Sequence, residues 1–237
     1  MRAPVAAGRP LRFVALALLA CAVLLPAVVS AHPMSGRNAT FVQSIQGHAV
    51  PAFMYLGAKH MVTGYDHLLF LVGVIFFLYK LKDVVLYVSL FTVGHSITLL
   101  LGVLGGLRAN PYAIDAIIGL SVVYKAFENI GGFERLGRLR PNTKAAVLVF
   151  GLFHGLGLAT KLQEFAIAEE GLVANILSFN AGVEIGQMLA LTGVLIVLTY
   201  WRTRASFLRH ALITNTVLMT GGFILAGYQI AGFMIAS

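Results

Sequence analysis

Charge is the scarcest commodity in this sequence. Only 11% of its 237 residues are Asp, Glu, Lys or Arg, while 59% are hydrophobic. A soluble domain carries about 25% charged residues, so a water-solvated globule is excluded. The mean hydropathy of +0.87 points to an integral membrane protein. Cysteine is nearly absent. The single Cys21 falls in the leader, so a processed chain has no disulfide and no thiolate metal site. Ligands for any metal must come from His, carboxylates, amides and Met. No nucleotide-binding motif, fixed-period repeat or low-complexity tract is found.

The charge that is present is lopsided, with a net +8 and a pI ≈ 9.9. Such an excess raises the question of nucleic acid. Here the basic residues lie between apolar runs, so membrane topology explains them and no nucleic-acid partner is expected. Arg2, Arg9 and Arg12 precede the apolar stretch Phe13 to Leu25, which ends in Val29-Ser30-Ala31. This is the order of a secretory signal peptide over residues 1–31. Cleavage would leave His32 at the new terminus, followed by a short exported segment (32–50) and a helical transmembrane domain (51–237).

Apolar runs follow at roughly 53–79, 84–106, 111–130, 144–160, 172–200 and 212–235, each near the ~20 residues a crossing helix needs. The expected fold is therefore an all-α, polytopic membrane bundle of about six transmembrane helices. Lys80, Lys82, Arg135, Arg138, Arg140, Lys144, Arg202, Arg204 and Arg209 occupy alternate loops, which should face the cytoplasm. Both mature termini then lie outside, in agreement with the leader, and a bacterial inner membrane is the expected location.

Ionisable residues inside the apolar runs are functional candidates, because hydrocarbon tolerates them only when paired or coordinated. The first run opens on His60-Met61-Val62-Thr63-Gly64-Tyr65-Asp66-His67. The heptad spacing of His60 and His67 puts both rings on one helix face. His95 lies mid-way along the second run beside Ser96, and His154 lies in the fourth. Asn180, Glu184 and Gln187 follow i, i+4, i+7 spacing in the fifth and are expected to share a face. Four runs thus supply a candidate metal set of His60, Asp66, His67, His95, His154 and Glu184. Ser96, Asn180 and Gln187 are supporting or pathway groups, and His32 and His48 are candidates for capture. Imidazoles with carboxylates suit a divalent transition ion (Ni, Co, Cu or Zn) over Mg or Ca. Gly64, Gly94, Gly155, Gly157, Gly182 and Gly186 flank these residues and let helices approach closely.

Simpler roles exist for several of them. Thr63-Gly64-Tyr65-Asp66 before an apolar run is also a helix-capping pattern. His60 beside Lys59 fits a membrane interface, and His210 beside Arg209 fits a solvated basic loop. A second polar group, Ser121, Lys125 and Glu128 with Asp115 nearer the outer end, marks the third run. Lys125 and Glu128 are three apart, close enough to pair on a helix.

Ala31-His32-Pro33, the His60-x5-Asp66-His67 motif, Phe153-His154-Gly155 and Phe179-Asn180-x-Gly182-Val183-Glu184-x-Gly186-Gln187 together resemble the HupE/UreJ family of membrane proteins. That family is associated with nickel supply to hydrogenase and urease. The resemblance covers most of residues 32–237 and implies a metal permease, with nickel favoured and a metalloenzyme maturation system as partner. It transfers most directly to His60, Asp66 and His67. Met61 stands where better-known members carry Pro, and Gly157-Leu158-Ala159-Thr160 stands where they carry a second His and a Glu, as in a divergent second branch. An intramembrane metal-dependent hydrolase, and a metal sensor or assembly factor, are the competing readings.

Overall fold

A computed structural model describes residues 47–137, 141–164 and 170–236. The leader, its cleavage point, His32 and the loop residues Arg138, Arg140 and Glu169 lie outside the described residues. Among those described there is no strand. The helices are α1 (Val50–Thr63), α2 (Tyr65–Ile75), α3 (Leu81–Gly105), α4 (Pro111–Asn129), the single turn α5 (Gly132–Arg135), α6 (Thr143–Gln163), α7 (Leu172–Arg202) and α8 (Ser206–Ala236).

Four of them, α3, α6, α7 and α8, are long and apolar enough to cross a membrane, and α2 is a shorter apolar helix. Their surfaces are inverted relative to a soluble protein. Leu208, Met234 and Ile235 are among the most exposed side chains, while His60, His67, His95, Lys125, His154, Asn175 and Gln187 are buried. Hydroxyls on the spans are satisfied locally, as Thr160 and Thr192 show by donating to carbonyls four residues back. Such back-bonding removes the cost of carrying a hydroxyl into hydrocarbon. Asn110 and Asn142 accept backbone N–H groups at the starts of α4 and α6, as N-cap residues do.

The first apolar run is not one helix. It breaks at Gly64, whose φ −75° and ψ 101° are extended, and helix resumes at Tyr65. A Cβ on Gly64 would lie 2.9 Å from the His60 carbonyl and 3.0 Å from His67 Nδ1, so the break and its ring neighbours leave no room for a side chain.

Three helix pairs build the bundle: α1 with α7, α3 with α6, and α4 with α8. In the α1/α7 pair, Ala49 donates to Asn175 and the Met54 carbonyl lies 2.0 Å from where a Cβ on Gly182 would stand. Numbers rise together, so those helices run parallel. The same holds for α3/α6, where a Gly155 Cβ would stand 2.1 Å from the His95 carbonyl and Gly102 faces Ala159. By contrast α4 and α8 are antiparallel, with Tyr112 against Gly232 and Asn129 bonded to Asn215. The half-helix α2 is held among them. Asn129 donates to the Gly73 carbonyl, and Arg202 donates to the carbonyls of Ile75 and Phe76 at its C-terminus.

Candidate metal centre

Four helices each deliver one buried histidine to a common place. His60 comes from the end of α1, His67 from the start of α2, His95 from the middle of α3 and His154 from the middle of α6; they are 7%, 3%, 1% and 1% exposed. Ring centroids of His67 and His60 are 5.0 Å apart, those of His67 and His154 5.0 Å, and those of His67 and His95 6.0 Å. An ion about 2.0–2.1 Å from a ring nitrogen lies about 3 Å from that ring's centre, so two rings sharing it sit about 4.5–5.5 Å apart. His67 is the hub and meets that spacing with two of its neighbours. Among the described residues, no group of three or more His, Cys, Asp or Glu side chains stands in an arrangement that could hold a metal ion.

Hydrogen bonding decides which nitrogens are left for a ligand. His154 Nδ1 lies 2.8 Å from the Phe150 carbonyl, one turn back on its own helix. A carbonyl oxygen only accepts, so Nδ1 carries the proton and the neutral ring presents a bare lone pair at Nε2. His67 repeats the arrangement, with Nδ1 2.9 Å from Asp66 Oδ1. Orienting one ring nitrogen on a carboxylate or carbonyl is the usual support for a metal-binding imidazole. His67 Nε2, His154 Nε2 and both nitrogens of His95 are buried and have no hydrogen-bond partner among the described residues. Buried polar atoms are rarely left so, and three rings with the same deficit at one spot call for a shared ligand.

Apolar side chains wall the group. Phe91 stands 5.0 Å from the His154 ring and 6.1 Å from that of His95, Phe70 5.4 Å from His154, and Phe179 6.3 Å from His60. The close helix contacts at Gly155 and Gly64 set the backbones near enough for short imidazole side chains to meet.

Other residues expected at the site fall differently. Asp66 stands in the first turn of α2, where its Oδ1 also accepts the His67 backbone N–H at 2.9 Å. Its side chain is 30% exposed, which makes it the accessible edge of the cluster. Gln187 is buried. It accepts from Thr92 at 2.9 Å and lines a small cavity beside His67 with Met61, Tyr87 and Val88. Ser96 and Asn180 are half-buried, with Ser96 Oγ and Asn180 Oδ1 enclosed and without a partner among the described residues. Glu184 is exposed on α7 and His48 is exposed ahead of α1, so neither joins the four rings. The shared face expected for Asn180, Glu184 and Gln187 is therefore split. Thr92 was not anticipated, although a hydroxyl three residues before His95 on the same helix was the available signal.

Residues 36–237 match the protein family described as HupE / UreJ protein. The chain belongs to the HupE/UreJ family. This family is associated with nickel and cobalt transport, and the helical, apolar architecture of this HupE/UreJ protein is that of an integral membrane protein. No curated protein and no solved structure matches the chain.

Proposed function

We propose that this HupE/UreJ protein is a permease for a divalent transition cation, nickel or cobalt foremost, which it holds in transit at His60, His67, His95 and His154. The observation that carries this reading is the set of buried nitrogens of His67, His95 and His154, from three separate helices, that lack a hydrogen-bond partner among the described residues. Neutral nitrogen donors without thiolate suit a cation that must also leave, because conduction requires binding favourable enough to admit the ion and weak enough to release it. Asp66 orients His67 and offers charge at the accessible edge. Glu184, exposed on α7, stands outside this ligand set.

The fold suits that task. A helix interrupted at the substrate site is a recurrent device of transporters. We read α1 and α2 as one interrupted crossing and α3, α4, α6, α7 and α8 as the other five, with both mature ends outside. Lys80, Lys82, Arg135, Lys144, Arg202, Arg204 and Arg209 gather where α2, α4 and α7 end and α3, α6 and α8 begin. The positive-inside rule makes that end cytoplasmic, as expected for a bacterial inner membrane. Delivery to a nickel or cobalt enzyme under maturation is the corresponding destination.

The test is elemental analysis of the purified chain followed by uptake of Ni, Co, Cu and Zn into reconstituted vesicles. The parental protein should bind one equivalent and move at least one of these ions, and His67→Ala should abolish both while still reaching the membrane. Unchanged uptake by His67→Ala defeats the proposal. Metal bound but never moved turns it into a sensor or assembly factor.

A further inference from the structure

Beneath the histidines lies a second buried polar group that the binding site does not use. Lys125, on α4, is 5% exposed. It pairs with Glu128 one turn along the same helix, as their spacing predicts, and Thr143, the first residue of α6, donates to the other oxygen of Glu128. The Tyr124 hydroxyl is buried nearby with no partner among the described residues. Asp115 does not belong to this group, being held by Lys161 at 2.8 Å near the opposite end of α4.

Two observations connect the group to the histidines. Lys125 packs on α2 itself, where a Cβ on Gly73 would stand 3.2 Å from Lys125 Cβ; six residues of helix separate Gly73 from His67, roughly 9 Å along the axis. The small cavity beside His67 is also lined by Val74, the residue after Gly73 on α2. A line therefore runs from His67 along α2 and its cavity to Gly73, then to Lys125, Glu128 and Thr143. It ends beside Asn142, whose side chain caps α6 at the basic end of the bundle.

We propose that Glu128 is the inward release site for the transported cation and that Lys125 is its tethered counter-ion. The proposal rests on the permease reading above and adds a second site to it. With no cation present, Lys125 and Thr143 satisfy the half-buried carboxylate. A divalent cation leaving the imidazoles for the inner side meets Glu128, and it takes the carboxylate only by displacing the ammonium. When Lys125 returns, the cation is expelled to the cytoplasmic face. One carboxylate and one ammonium thus give a site that never holds its ion for long.

The experiment compares the parental chain with Glu128→Gln, Lys125→Met and the charge-neutral double variant K125Q/E128Q, each in detergent for nickel stoichiometry and in vesicles for nickel uptake. The double variant leaves no unpaired buried charge, so it keeps the test informative if a single variant does not fold. E128Q and the double variant should still bind one nickel at the histidines but take it up at least tenfold more slowly. K125M should bind a second nickel, because nothing competes for the freed carboxylate, and should also transport slowly. Parental uptake by the double variant, or by E128Q, overturns the release site, as does a K125M chain that folds and binds only one ion. A parental chain that binds no nickel is a different failure: it removes the permease reading and not this inference alone.

Discussion

Asp66 Oδ1 stands 2.9 Å from the backbone nitrogen of His67 and 2.9 Å from its ring Nδ1. One carboxylate oxygen thus accepts from its neighbour's main chain and from the ring nitrogen that carries the proton. The capping pattern legible in Thr63-Gly64-Tyr65-Asp66 is not formed: Gly64 stands at the N-cap of α2 without a side-chain cap, and Thr63 donates instead to the Lys59 carbonyl. Asp66 holds the imidazole whose other nitrogen faces the cluster.

Asp66→Asn keeps an acceptor oxygen of similar shape but removes the charge. Loss of such a supporting group costs about 10–100-fold in metal affinity. Nickel titration of the purified variant should show a loss in that range, with Asp66→Ala at least as weak. An Asp66→Asn chain with parental affinity would mean that the charge of the carboxylate contributes nothing to the site.

Metal should stabilise the fold, because His67 Nε2, His154 Nε2 and both ring nitrogens of His95 are buried with no hydrogen-bond partner among the described residues. A ligand at 100 times its dissociation constant adds about 2.7 kcal/mol. Thermal unfolding in detergent should therefore shift upward with nickel or cobalt. The double variant His67→Ala/His154→Ala should unfold at the same temperature with or without metal. A parental protein indifferent to every divalent ion would contradict the site.

Two glycines separate local from global effects. At Gly155 a Cβ would meet the His95 carbonyl at 2.1 Å, backbone against backbone between α3 and α6. Gly155→Leu should drive those helices apart and sharply reduce the folded protein recovered from membranes. At Gly64 the added methyl meets the His60 carbonyl and the Asp66 and His67 side chains at 2.9–3.1 Å. Gly64→Ala should leave the protein folded, as read by size-exclusion chromatography, yet weaken nickel binding about tenfold or more, the scale of a disturbed supporting shell. Parental affinity in Gly64→Ala would show that the break tolerates a side chain.

Glu184 supplies a control on the ligand set. Its side chain is exposed on α7 and away from the four rings, so Glu184→Gln should bind the same number of nickel ions with the same affinity. A lost equivalent in that variant would bring Glu184 back among the ligands.

The apolar runs, the alternation of basic loops and the buried histidines were all readable from residue type and spacing, since hydrocarbon punishes charge wherever it lies along a span. The Lys125–Glu128 pair was readable too, because neighbours three apart on a helix meet whatever surrounds them. The capping pattern Thr63-Gly64-Tyr65-Asp66 marked a helix start within the first run, but the extended backbone at Gly64 is decided by what crowds it, and here the crowd is His60, Asp66 and His67. The division of Asn180, Glu184 and Gln187 was equally hidden. At about 100° per residue, Glu184 and Gln187 differ by about 60° around α7, and Gln187 meets α3, where Thr92 donates to it, while Glu184 is exposed. Spacing along the chain places side chains on a helix, but only the packing of a second helix determines which of them leave the lipid.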